Sequence, residues 1–307
     1  MTDVLYIMGH GYSGSTLLTF LLGSHPQVAT IGELEIAEKA KRQTTPEKYL
    51  CSCHAPVREC DFWQRVRREM GERGHDFDVW DSDLGFRAPG GSISDVILRA
   101  VQRGPVLEMA RSIGVRVVPG ARRELARILS RIEALGEVVT GIKRSRIFLD
   151  SSKRPERAVF MRRIPSFDMR VIHLVRDGRA VSWSNMKNQG LGPEAAADSW
   201  VVDNRAAEQA RRYFPAERWM TLRHEDVCAD PAGALSRIYS FVGLPPGDGV
   251  PELRGGEHHV IGNRMRLSST SEIRIDERWK TALTPEQMAT IERRVAPLNR
   301  CYGYGAL

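Results

Sequence analysis

The sequence lacks long apolar runs, internal repeats and low-complexity segments. None of its uninterrupted apolar stretches approaches the roughly 20 residues that span a bilayer. The chain begins Met1-Thr2-Asp3 without a basic leader, and Gly9 to Gly14 soon interrupt the apolar residues that follow. We therefore expect no transmembrane segment, no secretory signal and a cytoplasmic location. A composition of 42% hydrophobic and 27% charged residues excludes disordered, collagen-like and coiled-coil chains.

Cysteine is scarce, with 5 residues in a chain of 307, and this excludes a disulfide framework. Three of the five, Cys51, Cys53 and Cys60, cluster with His54 and could offer four zinc ligands. The C-x-C spacing is tighter than usual for zinc, and no second matching pair exists. We expect reduced thiols that pack with the aromatic residues after Cys60, with zinc or a disulfide as alternatives.

The charge balance is basic, with 45 Lys and Arg against 38 Asp and Glu, for a net charge of +7. This excess favours anionic partners such as nucleic acid, an anionic surface or a phosphorylated cofactor. Charge alone does not choose among the three.

Alternation of strand-like and helix-like segments predicts an α/β fold. A strand at Val4–Met8, a buried helix over Leu17–Leu22 and a strand at Val28–Ile31 form a βαβ unit and hence a parallel sheet. Further strands are predicted at Val138–Ile142 or Arg146–Leu149, at Arg170–Val175 and at Trp219–Leu222. We expect a P-loop-type three-layer fold with a central, mostly parallel sheet.

A single domain over residues 1–307 is the simplest organisation, with a mostly helical insertion at about 36–135. The insertion has helical stretches around Phe62–Met70, Ile93–Arg103 and Arg122–Leu135, and we expect it to shape the acceptor pocket. Helices are also predicted over Pro231–Val242 and Pro285–Asn299, and a surface loop over Gly255–Ser271.

A glycine-rich loop follows the first strand with the spacing of a nucleotide-binding P-loop: Gly9, four residues, Gly14 and two more. Such a turn directs backbone N–H groups and the positive end of a helix dipole at one anion. Ser15 stands where triphosphate-binding loops have lysine, so the loop is poorly equipped for a γ-phosphate and Mg²⁺. The amides and hydroxyls suit a 5′-phosphate or phosphosulfate, and the candidate residues are Gly11, Tyr12, Ser13, Gly14, Ser15 and Thr16.

A second anion site is predicted where the strand Arg170–Val175 ends. Arg176 follows that strand, and Ser184 lies about two turns into the next helix. An arginine at the carboxyl end of a central strand suits a phosphate, although a surface Arg-Asp pair at a turn is the alternative. Two anion sites on one sheet edge indicate a nucleotide with phosphates at its 5′ and 3′ positions.

These motifs resemble the sulfotransferases that use 3′-phosphoadenosine-5′-phosphosulfate (PAPS), with the nearest pattern in tyrosylprotein and related bacterial enzymes. The residues that carry the resemblance are Tyr12 to Leu18, His25-Pro26, Gly32-Glu33 and Val175 to Ala180 with Ser184. The similarity runs from residue 4 to about 290 and omits the insertion.

The resemblance implies a role for each matched position. The loop would bind the 5′-phosphosulfate, Arg176 and Ser184 the 3′-phosphate, and His224 would replace an aromatic residue that contacts the nucleotide. Lys153 would be an active-site cation, and Arg264 and Arg266 would lie in a loop that folds over PAPS.

Glu33 is the expected general base, because it matches the glutamate that has this role in the tyrosylprotein enzymes. Glu35, His10 and His54 are alternatives. The family usually has Lys or Arg where this chain has Tyr12, so the helix dipole or a cation from His10, Lys143 or Lys153 would have to compensate.

The expected activity is transfer of the sulfuryl group from PAPS to a hydroxyl, with 3′-phosphoadenosine 5′-phosphate (PAP) as product and no metal required. A carbohydrate, glycolipid, natural product or peptide tyrosine could be the acceptor, and nucleic acid is not an expected partner. The alternatives are a P-loop kinase and a non-catalytic protein that binds anionic polymers. The oligomeric state is left open.

Overall fold

A computed structural model describes residues 1–88, 90, 92–99, 105–247, 249–252, 258–267 and 273–305. Its five described strands are β1 (Thr2–Met8), β2 (Val28–Gly32), β3 (Ile147–Lys153), β4 (Phe167–Val175) and β5 (Trp219–Arg223). They form one sheet in the order β2-β3-β1-β4-β5, and all four pairings are parallel.

The helices before β4 include those of the predicted insertion. They are α1 (Ser15–Gly23), α2 (Glu38–Gln43), α3 (Asp61–Glu72), α4 (Ile93–Leu98), α5 (Pro105–Val117), α6 (Pro119–Lys143) and α7 (Pro155–Met161). The helices after β4 are α8 (Gly178–Gln189), α9 (Pro193–Arg211), α10 (His224–Ala229), α11 (Pro231–Val242), α12 (Trp279–Ala282) and α13 (Pro285–Cys301). Short 3₁₀ turns occupy Ala216–Arg218 and Arg264–Leu267. In the part of the chain described here, none of the helices has the length and apolarity to cross a bilayer.

The central strand β1 shows why both faces of the sheet are covered. Successive side chains of a strand point to opposite faces, and Val4, Tyr6 and Met8 belong to one buried cluster while Leu5 and Ile7 belong to another. A parallel strand buried on both faces reads as a near-continuous apolar run. The α/β fold with a central parallel sheet between two helical layers is therefore confirmed.

The strand predicted at Val138–Ile142 is wrong, because these residues lie in α6. Ile128, Ile132, Leu135 and Val139 are all buried, and their spacing of three or four residues follows one face of a helix. The alternative at Arg146–Leu149 is the correct one and corresponds to β3. Helix α6 packs against β2 and β3, so the predicted insertion contributes to the layer that covers one face of the sheet.

Residues 258–263 of the predicted surface loop Gly255–Ser271 are irregular as expected, but the surface position is wrong, because His259, Val260 and Ile261 are buried. Residues 255–257 and 268–271 of the loop lie outside the described residues. Its described segment, residues 258–267, lies along β2, which is an edge strand. Ile261 pairs in parallel with Gly32, and its amide donates to the carbonyl of Ile31 at 2.9 Å. The helix predicted at Ile93–Arg103 ends at Leu98, and residues 100–104 are outside the described part.

Candidate active site

The glycine-rich loop joins β1 to α1 at the carboxyl edge of the sheet. Gly14 precedes the first turn of α1 with φ +89°, and the side chains described here provide no cap for that turn. The loop also passes close to β4, because a Cβ on Gly9 would lie 2.4 Å from the carbonyl oxygen of Leu174. Ser13 is 1% exposed, and its hydroxyl has no hydrogen-bond partner in the part of the chain that the structure describes. Together the uncapped N–H groups and this hydroxyl form a cradle that an anion would satisfy.

Arg176 lies directly beside the loop, as the sequence pattern indicates. It follows β4 and is 7% exposed; Nη1 donates to the Tyr12 carbonyl at 2.9 Å, and Nη2 donates to the Asp276 carbonyl at 3.2 Å. Its Nε is buried, and none of the residues that the structure describes offers it an acceptor. A buried donor without an acceptor costs free energy unless a ligand satisfies it. The loop and Arg176 thus offer two unmet polar atoms at one sheet edge.

His224 forms the wall opposite the loop. It opens α10 directly after β5, and a Cβ on Gly14 would lie 2.2 Å from His224 Nδ1, so the imidazole packs directly against this glycine. Burial, and then the positive charge of Arg176, lowers the pKa of His224 to about 3. The ring is therefore neutral near pH 7 and can face a nucleotide without adding charge.

Ser184 and His10 differ in how many of their polar side-chain atoms already have hydrogen-bond partners. Ser184 is buried in α8, and its hydroxyl donates to the Ala180 carbonyl at 2.9 Å. Both ring nitrogens of His10 are occupied, Nε2 by the Asn185 amide at 2.9 Å and Nδ1 by the carboxylate of Asp203. This pattern assigns the proton to Nδ1 and makes His10 a link from the loop to α8 and α9.

Glu33 and Lys153 meet where β2 and β3 end. Lys153 Nζ donates to Glu33 Oε1 at 2.5 Å, and the Lys153 carbonyl accepts the Gly9 amide at 3.1 Å. Both side chains are partly exposed, so they reach solvent beside the glycine-rich loop. Glu35 is directed elsewhere and pairs with the buried Arg157 at 2.5 Å. Of the two glutamates, only Glu33 shares an ion pair with the predicted active-site lysine.

Asp150 is a buried acidic residue near the predicted active-site lysine in sequence. It lies on β3, is 0% exposed, and accepts the Ser152 amide at 2.8 Å. Burial raises its pKa to about 6, and the charge of Arg157 opposes this shift. The sequence Asp150-Ser151-Ser152-Lys153 at the end of a predicted strand was the available signal.

The two arginines expected to fold over PAPS lie in the segment along β2. The guanidinium of Arg266 donates to the carbonyls of Leu50 and Gly262 at 2.9 and 2.6 Å and lies 4.1 Å from the Tyr49 ring centroid. Arg266 is therefore engaged in holding this segment. The Arg264 side chain lies outside the described residues. Lys143, an expected compensating cation, lies over the ring of Phe62.

The three clustered cysteines come together with a histidine that the sequence pattern does not predict. Cys51, Cys53 and Cys60 share their site with His259, whereas His54 is exposed and outside it. The hydrogen bond from the Cys51 thiol is the main reason that the pKa of Cys60 is lowered. The prediction of His54 as the fourth ligand is wrong, because His259 lies in the cluster and His54 does not.

Comparison with known proteins finds a similarity to sulfotransferases. Residues 116–248 match the model of the sulfotransferase family, and this range contains Arg176, Ser184 and His224. Mouse carbohydrate sulfotransferase 4 is 23% identical over 172 residues, which are 46% of this chain and 43% of that protein. Human carbohydrate sulfotransferase 2 is 24% identical over 178 residues, 42% of this chain and 34% of that protein. Over residues 116–248, this chain is therefore similar to the sulfotransferase family.

Two solved sulfotransferase domains share the fold. The domain from the Synechococcus PCC 7002 olefin synthase superposes with a TM-score of 0.58 at 18% identity, covering 100% of this chain and 96% of that domain. The domain from the curacin biosynthetic pathway gives a TM-score of 0.56 at 17% identity, with coverage of 97% and 98%. The chain spans less than half the length of the two curated relatives described above.

Proposed function

We propose that this chain transfers the sulfuryl group of PAPS to a hydroxyl of a carbohydrate acceptor. The observation that carries the proposal is the anion cradle, in which the Ser13 hydroxyl and Arg176 Nε are buried without partners among the described residues, beside uncapped helix amides. A bisphosphorylated nucleotide supplies acceptors for both groups. Ser15 in place of lysine after Gly14 argues against a triphosphate.

The residues around the cradle suit the nucleotide that we propose. The loop residues 11–16 would hold the 5′ end, and the fork of Arg176 would hold the 3′-phosphate with help from α8, where Ser184 lies. The neutral His224 ring would contact the nucleotide without a charge that competes with Arg176. PAPS supplies a sulfuryl group that its mixed anhydride already activates, so transfer requires no metal.

Glu33 and Lys153 would act on the acceptor side of the cradle. Glu33 would take the proton of the acceptor hydroxyl. At the same time the hydroxyl oxygen would bond to sulfur, and the bond between sulfur and the 5′-phosphate oxygen of the departing PAP would break. Lys153, 2.5 Å from Glu33 Oε1, orients that carboxylate and places positive charge near the transferring group. The engaged nitrogens of His10 make it a positioning residue for the loop in this scheme.

Carbohydrate is the proposed acceptor class because the curated relatives are carbohydrate sulfotransferases. The helices α2–α6 would line the acceptor side, since α6 packs against β2 and β3. A panel of sugar, lipid-linked and phenolic hydroxyls, assayed with labelled PAPS, tests this choice. Transfer only to phenolic acceptors would contradict it.

Arg176→Ala tests nucleotide binding by calorimetry with PAP. Loss of a charge-assisted contact of ~1.5–3 kcal/mol predicts a Kd about 10- to 150-fold higher. Arg176→Lys should recover only part of the affinity, because lysine keeps the charge and loses the fork. Arg205→Ala, an exposed arginine of α9, is the matched control and should bind PAP normally.

Three results would contradict the proposal. Unchanged PAP affinity in Arg176→Ala would remove the 3′-phosphate assignment. Binding of Mg²⁺-ATP with phosphate transfer, and indifference to PAP, would identify a kinase. Binding of polyanions with a steep salt dependence and no PAP affinity would identify a non-catalytic protein.

A further inference from the structure

A compact group of three sulfur atoms and one nitrogen lies beside β2 and outside the anion cradle. It consists of Cys51, Cys53, Cys60 and His259, whose ligand atoms all lie within 4.8 Å of one another. The Sγ atoms of Cys53 and Cys60 are 3.6 Å apart, and His259 Nδ1 is 3.2 Å from Cys60 Sγ and 3.9 Å from Cys51 Sγ. Four ligand atoms at this separation surround a volume that suits one ion.

The separations agree with a tetrahedron of zinc ligands. Zn–S bonds of about 2.3 Å and Zn–N bonds of about 2.0–2.1 Å place the corners of a tetrahedron about 3.5–3.8 Å apart. A cluster of several irons would need its thiolates farther apart than the 4.8 Å limit observed here. Three cysteines and one histidine fill all four positions, which is the arrangement of a structural site.

The local backbone orients these ligands. Residues 51–55 form a tight turn, in which the Cys51 amide donates to the Ala55 carbonyl and the His54 amide donates to the Cys51 carbonyl, both at 2.9 Å. Cys60 directly precedes α3, and the ring of His259 stacks on Phe62 at 4.6 Å with an interplanar angle of 2°. These contacts direct the thiols and Nδ1 toward a common centre.

The site joins two segments that are far apart in sequence. Ser52 already connects them, because its hydroxyl donates to the His258 carbonyl and accepts from the Val260 amide, both at 2.7 Å. The segment then reaches the active site, since the Glu33 amide donates to the Ile261 carbonyl at 3.4 Å. A Cβ on Gly262 would lie 2.7 Å from Glu33 Oε1, so this segment packs against the proposed base.

We propose that Cys51, Cys53, Cys60 and His259 bind one Zn²⁺ ion, which fastens residues 258–262 to residues 51–60 and so supports the edge of the sheet beside Glu33. The ion has a structural role, because its four protein ligands leave no position for a reacting group. The proposal concerns the metal and the fold, and it stands whether or not the chain uses PAPS.

Metal content of the full chain, purified without a polyhistidine tag, is the first test. Elemental analysis should find about one zinc per chain, and His259→Ala should lower this to a small fraction. His54→Ala is the matched control, since His54 is an exposed histidine in the same turn and lies outside the cluster. Cys301→Ser is the second control, because Cys301 is an exposed cysteine on α13. Both controls should retain the metal.

Cobalt substitution of the wild-type chain is the second test and needs no variant. Co²⁺ in this site should give the intense visible bands of tetrahedral cobalt and a thiolate charge-transfer band, and Zn²⁺ should displace both. Removal of the metal should lower the midpoint of thermal unfolding, and added Zn²⁺ should restore it.

Several outcomes would overturn the proposal. Metal-free protein whose three thiols titrate as reduced would do so, as would a Cys53–Cys60 disulfide detected by a mass two hydrogens lower. Equal zinc content in His259→Ala and wild type would exclude the assigned ligand set. An octahedral cobalt spectrum would exclude the tetrahedral site.

Discussion

Gly14→Ala probes the contact on which the shape of the anion cradle depends. Gly14 has φ +89°, and an added Cβ would lie 2.2 Å from Nδ1 and 2.6 Å from Cε1 of His224. His224 is buried and cannot withdraw without displacing its own surroundings. The substitution therefore combines backbone strain with a steric clash, and the two costs can be separated by experiment.

The expected loss in the free energy of unfolding is the sum of the strain and the clash. An L-residue in the left-handed region costs about 1–2 kcal/mol, and overpacking a filled site costs about 1–3 kcal/mol. Gly14→Ala should then lower the free energy of unfolding by about 2–5 kcal/mol. In the double variant Gly14→Ala/His224→Ala the clash disappears and the backbone strain remains. The double variant should therefore be about 1–3 kcal/mol more stable than the sum of the two single effects predicts.

Urea unfolding at pH 7 of the wild type, both single variants and the double variant measures the cycle. Gly11→Ala is the matched control in the same loop. A Cβ there would meet no atom of the described residues within 4 Å, so this substitution should cost far less than Gly14→Ala. If the two single effects simply add, within about 0.5 kcal/mol, then His224 does not pack against Gly14 in solution and the reasoning is refuted.

Three further predictions concern catalysis and pH. Glu33→Gln keeps an acceptor for Lys153 and should lower kcat about 10²–10⁴-fold with unchanged PAP affinity; near-normal turnover would assign the base to another residue. Tyr12→Lys should raise kcat in the same assay, since it supplies the cation that the loop lacks, and an unchanged rate would show that the cation is already supplied elsewhere. Asp150→Asn should stabilise the protein above pH 6. Folding raises the pKa of the Asp150 carboxyl from 3.8 to about 6, so the wild type loses stability as the pH rises through that interval. The gain should approach about 3 kcal/mol and vanish below pH 4, and equal urea midpoints for Asp150→Asn and wild type at pH 7 would contradict it.

Local sequence patterns were sufficient to predict the strand, loop and helix that form the anion cradle. The apolar run before Gly9, the spacing from Gly9 to Gly14 and the apolar residues after Ser15 define β1, the loop and α1 within the first 23 residues. Helix α11 agrees with its sequence prediction at both ends. These features are local because strand period, helix period and loop geometry depend on neighbouring residues.

Ambiguous apolar runs show where local pattern is insufficient. Val138 and Val139 have strand-forming side chains, yet they continue the buried face of α6. Ile147–Lys153 became the strand because it fits between β1 and β2. The decision came from packing against the sheet, which overrides the intrinsic preference of β-branched residues.

The sequence by itself determined the glycine loop, the parallel sheet and the placement of Arg176 at a strand end, since each follows from short-range spacing. Tertiary structure alone decided that His224 packs on Gly14, that His10 is held by Asn185 and Asp203, and that His259 rather than His54 completes the cysteine cluster. The physical reason is that hydrogen bonds and ligand geometry act over a few ångströms, and strand order determines which distant residues reach that range.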